Sequence, residues 1–345
     1  MISSTIEFTL PADLERGRPP EADGRTRDDV RLMIGSRSTG TITHDHFRSM
    51  PSYLREGDAL VINVSATLPA ALPAVAADGT ELLVHLSSLL PGGLWAVEVR
   101  TPDGFGSGPG PELEPQTLTL LNDGRVALLS RHPRVRRLWL SSLEIPTALE
   151  DYLDIRGRPI RYRYAEGDWP LSAYQTVYAT EPGSAEMPSA GRPFTPEILT
   201  SIIAGGVAVL PLTLHSGVAS MEDGEEPIEE RYRVPAATAH TINALRQAGG
   251  RVVAVGTSTV RALETVADKN GAIHPGSGYT DLIIGPDRPM RTVDALLTGW
   301  HEPRASHLML VESIGGHPLL AEMYSRAVIA GYAWHEFGDS SLILP

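Results

Sequence analysis

The sequence predicts an α/β protein whose main domain, a mixed sheet with helices, carries a small inserted β-barrel. Three observations support this. After Tyr174, apolar β-branched runs alternate with segments of helical period. Between residues 66 and 156 the texture changes to short alternating runs cut by Gly and Pro turns, as in a small barrel. From 249 to 264, GGRVVAVGTSTVRALE reads as a buried strand, a glycine turn and an immediate helix. The boundaries implied are 1–65 and 157–345 for the main domain and 66–156 for the barrel.

Residues 1–65 read as short strands and turns. Within 66–156, ELLVHL, LWAVEVR, QTLTLL and RVALLS are strands, while GFGSGPGPELEP lacks periodicity and reads as a loop. Thr195 is an N-cap with Pro196 at the first helical position, and Gly205 and Gly206 stop that helix. VAVLPLTL is a strand, and AATAHTINALRQAGG is a helix leading into the strand VVAV. Gly256 then turns the chain, Thr257 and Ser258 cap, and 260–267 has helical spacing. DLIIG reads as a strand and VDALLTGW as a helix. HLMLVESI and HPLLAEMYSRAVIAGY read as two further helices.

The 345 residues leave room for two domains and include no cysteine. That excludes disulfides, a cysteine nucleophile and a Cys-ligated iron–sulfur cluster, so the chemistry expected is polar rather than cluster-initiated. Hydrophobic content of 42% with 21% charged residues is that of a globular protein. No apolar run approaches the roughly 18 residues that span a bilayer. The N-terminus lacks a signal-peptide pattern, so a cytoplasmic location is expected. The net charge of −13 argues against a broadly basic RNA-binding surface, but a local strip is enough. Arg131, Arg134, Arg136 and Arg137, reinforced by RGRPIRYRY, offer one, interleaved with Trp139, Tyr162 and Tyr164. An exposed β-strand reads the same way.

A strand, glycine turn and helix leave backbone N–H groups facing a crevice, which suits a carboxylate, a phosphate or a polar ring edge. The segment has neither GxGxxG nor GxxxxGK[ST], so it supports neither a dinucleotide fold nor a P-loop. Arg261 and Glu264 share one helix face, as site residues or as a plain surface ion pair. His44 and His46 form an HxH with no third ligand in view, so no metal is expected.

The motifs, taken in order, resemble those of the S-adenosylmethionine:tRNA ribosyltransferase-isomerases of queuosine biosynthesis over nearly the whole chain. The segments are PPEADGRTRDDVRLM (19–33), GTITHDHFRSMPSYLREGDALVIN (40–63), YQTVYA (174–179), GSAEMPSAGRPFT (183–195) and TLHSG (213–217), followed by the glycine-turn run, TGWHEPRASHLMLVE (298–312) and FGD (337–339). The resemblance implies a main α/β domain with an inserted barrel. It also implies transfer and rearrangement of the ribosyl part of S-adenosylmethionine onto a 7-aminomethyl-7-deazaguanine base in tRNA, releasing adenine and methionine, with no metal. Such chemistry needs a base beside the sulfonium and a partner for the leaving adenine. By motif position, His215, His301 and Tyr174 are the catalytic candidates. Gln175, Thr176, Gly256, Thr257, Ser258, Arg261, Glu264 and Asp339 are the S-adenosylmethionine candidates, with Arg261 on the methionine carboxylate, Glu264 orienting it, and Asp339 on a loop or a ribose hydroxyl.

Departures from the family pattern are concentrated. In INVSATL, Asn63 is retained while Val64 and Ala66 stand where Asp and Arg are expected. Arg192 and Pro193 replace Leu and His, HSGVASM lacks a Gly-Thr-Phe, and EEPIEERYRVP lacks two histidines. Glu302 stands where Leu is expected. Asn63, Arg192, Glu302 and the acidic stretch MEDGEEPIEE therefore mark a candidate acceptor pocket. Besides the family reaction on tRNA, these changes admit a paralogue that cleaves S-adenosylmethionine with a small-molecule acceptor or water, or a non-catalytic binding protein.

Overall fold

The computed structural model describes residues 6–218, 225, 227–303 and 305–345. Four parallel neighbours, Ala208–Leu214, Ala59–Asn63, Val252–Val255 and Ala295–Gly299, form the centre of a nine-stranded mixed sheet. Ser340–Leu344 runs antiparallel beside Ala295–Gly299 and parallel to Arg31–Ser36, and Ile42–His46 closes that side. On the other side lie Glu230–Val234 and Gly276–Thr280, both antiparallel.

Alternation across the pleat fills two cores. Ala59, Val61, Val252 and Ala254 point into one, packed by the helices Ala236–Gln247, Thr257–Val266, Ser306–Gly315 and His317–Ile329. Leu60, Ile62, Val253 and Val255 point into the other, covered by Pro196–Ala204. Among the described residues, no helix is long and apolar enough to cross a membrane.

Six strands, Ala71–Val75, Glu81–Leu89, Trp95–Asp103, Leu138–Glu144, Arg125–Arg131 and Gln116–Leu120, pair around a closed ring. Closure leaves none of the six with an open edge. Leu72, Val84, Val97, Leu118, Val126 and Trp139 fill the barrel, and the helix Leu149–Arg156 adds Tyr152 and Leu153. The barrel docks on the main sheet through Ile228, which packs on Ala96, Val135 and Leu138. The Val218 N–H also donates to Ser87 Oγ at 3.0 Å.

Several local expectations hold. Thr195 accepts from the Ile198 N–H as the N-cap of Pro196–Ala204, and the four expected barrel runs are strands. Others need correction. VDALLTGW contains a strand, Ala295–Gly299, not a helix: Ala295, Leu296 and Leu297 are buried on both faces, and a short apolar run gives no period to separate the two. DLIIG is irregular, and the strand lies just before it at Gly276–Thr280; Arg261 satisfies the backbone carbonyls of Thr280 and Leu282 instead. Within GFGSGPGPELEP, Gly106–Pro109 pairs with Trp95–Asp103. Its glycine serves close approach, because a Cβ at Gly106 would sit 2.0 Å from the Tyr162 carbonyl. The last helix of the glycine-turn unit begins at Thr257, with Gly256 as N-cap and no side-chain cap.

Asp58 is buried at the start of Ala59–Asn63 and accepts from the Arg251 guanidinium and from the Arg55 and Arg251 N–H groups. Burial opposes its ionisation, but those donors outweigh it and hold the carboxyl below its ordinary 3.8. A lowered folded value means its stabilisation is complete above the unfolded value and is lost as pH falls through the folded one. Asp58→Ala should therefore lose about 3 kcal/mol in urea unfolding at pH 7. The gap to wild type should shrink steadily below about pH 4; a gap independent of pH would contradict this role.

Candidate active site

A cavity of about 230 Å³ opens at the carboxyl ends of Val252–Val255, Ala295–Gly299 and Ala208–Leu214, where the barrel meets the main sheet. Gly256, Thr257, Ser258 and Arg261 form one wall, and Thr298, His301 and Glu302 form the next. Ser216 and Gly217 follow Ala208–Leu214, and Arg137 and Leu138 come from the barrel. Gly256 has φ +86°, which glycine adopts freely, so the chain turns at once into the helix Thr257–Val266 and presents its N-terminus to the cavity.

Of the catalytic candidates, His301 lines the cavity. Its Nε2 lies 2.9 Å from Thr298 Oγ1, its N–H donates to Tyr324 Oη, and its ring stacks on His307 at 5.3 Å. Burial, then His307, pushes its imidazole down to about 3, so it is neutral near pH 7. His215 is not among the lining residues. Its Nε2 accepts from Arg231 at 3.0 Å, which leaves the proton on Nδ1 to donate to Ser65 Oγ at 2.8 Å. Burial, then Arg231, lowers it to about 4. Tyr174 is also displaced from the cavity, buried against Phe337 at 5.1 Å with its carbonyl accepting from Thr67.

The ligand-binding candidates divide in the same way. Gly256, Thr257, Ser258 and Arg261 line the cavity. Arg261 is nearly buried, ion-paired to Glu230 and donating to the Thr280 and Leu282 carbonyls. Glu264 does not orient it. Fully buried, Glu264 accepts from Arg288 and from the N–H groups of Arg291 and Thr292, pinning the loop that feeds Ala295–Gly299. Both ends of Gln175 clamp the Thr67 backbone, at 3.0 and 2.8 Å, and Thr176 is buried outside the cavity. Asp339 holds a loop, accepting from Arg31 and the Ala333 N–H.

Of the three single-residue acceptor-pocket candidates Asn63, Arg192 and Glu302, Glu302 lines the cavity, with its carboxyl raised by burial and then by Glu15. Arg192 is buried, donating to the Ala173 carbonyl and Glu21 and resting on the Phe337 ring. Asn63 is buried within the sheet and braces the site from behind. Of the acidic stretch, Met221, Glu222, Asp223, Gly224 and Glu226 lie outside the described residues, as do Ala219 and Ser220 of HSGVASM. Glu225 and Glu230 line the cavity and pair with Arg137 and Arg261.

The basic strip is largely neutralised. Arg131 pairs with Glu112 and lies over Trp139, Arg134 pairs with Glu229 and Asp281, and Arg137 pairs with Glu98 and Glu225. Trp139 and Tyr162 are buried in the barrel core, so neither offers a face for a base. Arg136 is exposed, and forms no ion pair among the described residues. His44 Nδ1 is bonded to Tyr332 Oη at 2.9 Å. Among the described residues, no group of three or more His, Asp or Glu converges as a metal site.

Sequence reasoning missed His307, His335, Glu336 and Glu186, all cavity-lining. His307 and Glu186 sit inside motifs already singled out, and His335 and Glu336 immediately precede FGD, so proximity to those motifs was the available signal.

The α/β sheet and the barrel seated over its strand ends thus enclose a polar cavity between them. A family model described as "Queuosine biosynthesis protein" matches residues 3–343, and the chain belongs to that family. The chain is 37% identical to a protein of Symbiobacterium thermophilum named S-adenosylmethionine:tRNA ribosyltransferase-isomerase, over 99% of both chains. It is 34% identical to one of the same name from Moorella thermoacetica, over 98% of both. A crystal structure of an S-adenosylmethionine tRNA ribosyltransferase from Thermotoga maritima has 31% identity and a TM-score of 0.55, covering 99% of this chain and 100% of that one.

Ring-proton NMR should find His301 and His215 uncharged from pH 8 down to pH 5, titrating only as pH nears about 3 and about 4. Midpoints near 6.5 would contradict the burial described.

Proposed function

We propose that this chain transfers and isomerises the ribosyl part of S-adenosylmethionine onto 7-aminomethyl-7-deazaguanine in tRNA, releasing adenine and methionine. The observation that carries this is the end-to-end match to proteins named for that activity, at 37% identity over 99% of both chains. The gathering of Gly256, Thr257, Ser258, Arg261 and His301 around one cavity agrees with it. The rival readings, a small-molecule or water acceptor and a non-catalytic binder, rested on local departures. One of these, at Arg192, is accounted for by a bracing role in the fold. The rivals are not favoured.

The methionine carboxylate is assigned to the helix N-terminus at Thr257 and Ser258 and to Arg261. Neutral His301 is assigned to hydrogen-bond the departing adenine. Glu302, whose carboxyl is raised by burial and then by Glu15, is assigned to take the proton beside the sulfonium, in place of His301, whose imidazole is lowered to about 3. A groove beside the cavity shares Arg137, Tyr164 and Glu302 with it and adds Arg131, Arg136 and Arg163. Arg136 and Arg163 are exposed, and we assign them to tRNA phosphates. Residues 66–156 are taken as the inserted barrel domain.

Incubation with S-adenosylmethionine should release adenine and methionine only when tRNA carrying the 7-aminomethyl-7-deazaguanine base is present. Release at the same rate without RNA would contradict the tRNA acceptor. Arg136→Glu with Arg163→Glu should weaken tRNA binding roughly tenfold or more at low salt while leaving S-adenosylmethionine affinity unchanged. Unchanged tRNA affinity would move the RNA path elsewhere.

A further inference from the structure

The cavity wall formed after the strand Ala295–Gly299 and at the start of the helix Ser306–Gly315 carries two imidazoles face to face. His301 follows the strand, and His307 is the second residue of the helix. Their ring centroids are 5.3 Å apart and their planes 7° from parallel. His301 Nε2 is taken up by Thr298 Oγ1 at 2.9 Å. His301 Nδ1 and both nitrogens of His307 have no hydrogen-bond partner among the described residues. None of the three is sealed in, unlike His335 Nε2 and both nitrogens of His85. The groups around the His307 ring are His301, Arg261 and Glu230, and all of them line the cavity, so its open edge faces that space.

Burial lowers both imidazoles, with Arg261 adding to it at His307, so both are uncharged near pH 7. A neutral imidazole offers one N–H and one acceptor nitrogen. The stacked pair thus presents donors and acceptors side by side without charge. Such a wall adds little for the charged methionine end of the substrate, which has Arg261 and the helix start at Thr257. It matches a neutral ring with a donor and an acceptor adjacent on one edge. Adenine has that edge, where N7 accepts and the 6-amino group donates.

We propose that His301 and His307 together read this edge of the adenine, and that His307 selects the 6-amino group. This rests on the S-adenosylmethionine reading above. Thr298 Oγ1 donates to His301 Nε2, which leaves the His301 proton on Nδ1 to donate to adenine N7. The 6-amino group donates to whichever His307 nitrogen lacks the proton. The N7 contact stabilises the charge that builds on the ring as its bond to ribose breaks. The His307 contact is one of specificity, because the 6-amino group takes no part in that bond breaking.

The test is a calorimetric titration of wild type and His307→Phe with S-adenosylmethionine and with its analogue whose base is unsubstituted purine. That analogue keeps N7 and lacks the 6-amino group. Phenylalanine keeps a flat ring against His301 and removes both nitrogens. Wild type should bind S-adenosylmethionine roughly tenfold or more tightly than the purine analogue. His307→Phe should bring the two affinities together by weakening S-adenosylmethionine alone. If His307→Phe does not melt cooperatively, His307→Leu carries the same readout. A 7-deaza analogue should bind more weakly than S-adenosylmethionine to both proteins; no loss in either overturns the contact at N7. A folded variant that keeps the wild-type preference overturns this proposal alone. So do a wild type with no preference and an equal loss for both ligands, which marks a packing role. A wild type that binds neither ligand overturns the S-adenosylmethionine reading and this proposal with it.

Discussion

One buried amide, that of Asn63, joins the pieces from which the cavity is built. Its Oδ1 accepts from the Leu214 and Ser65 N–H groups at 3.0 and 3.1 Å. Its Nδ2 donates to the Leu214 carbonyl at 2.8 Å and to Ser258 Oγ at 3.1 Å. The hydrogen-bonding capacity of the amide is thus fully used. Two adjacent parallel strands, the point where the chain leaves for the barrel and the start of the helix Thr257–Val266 are held in one register. The network continues from Ser65 Oγ to Ser184 Oγ and His215, and from His215 to Arg231. Each bond is worth about 1 kcal/mol net, but an orphaned partner in this dry interior costs more, so the unit resists piecemeal loss.

That rigid floor carries an uneven charge distribution. The guanidinium groups of Arg261 and Arg137 are already matched by Glu230, Glu98 and Glu225. His301, His307 and His335 are all lowered, chiefly by burial, and add no cation near neutral pH. Glu302, Glu186 and Glu336 lie on the barrel side and its rim. On the proposed assignment, the methionine carboxylate of the substrate lies at the helix N-terminus and its cationic sulfur toward Glu302. The chain's net charge of −13 is therefore no obstacle to this chemistry.

What was legible in the sequence is what local physics determines. Thr195 before Pro196, the β-branched run Val252–Val255 and the turn at Gly256 each write their geometry within a few residues. The strand Ala295–Gly299 was not legible, because burial on both faces erases the period. Motif positions were a mixed guide to the site. Gln175, Glu264 and Asp339 match the family pattern, yet every polar contact seen for them is to this chain's own backbone or arginines. A motif position records constraint without saying whether a ligand or the fold imposes it. His335 and Glu336 meet His301 and Glu302 only because Ser340–Leu344 pairs beside Ala295–Gly299, a long-range event that no local pattern encodes.

The most direct measurement is the S-adenosylmethionine affinity of Asn63→Ala, read beside its thermal melt. If the amide braces the cavity floor, the folded variant should bind about tenfold or more weakly than wild type, because Ser258 and the Leu214 strand end lose their common anchor. A variant that melts cooperatively and binds as tightly as wild type would show that the floor does not depend on Asn63, or that S-adenosylmethionine binds elsewhere.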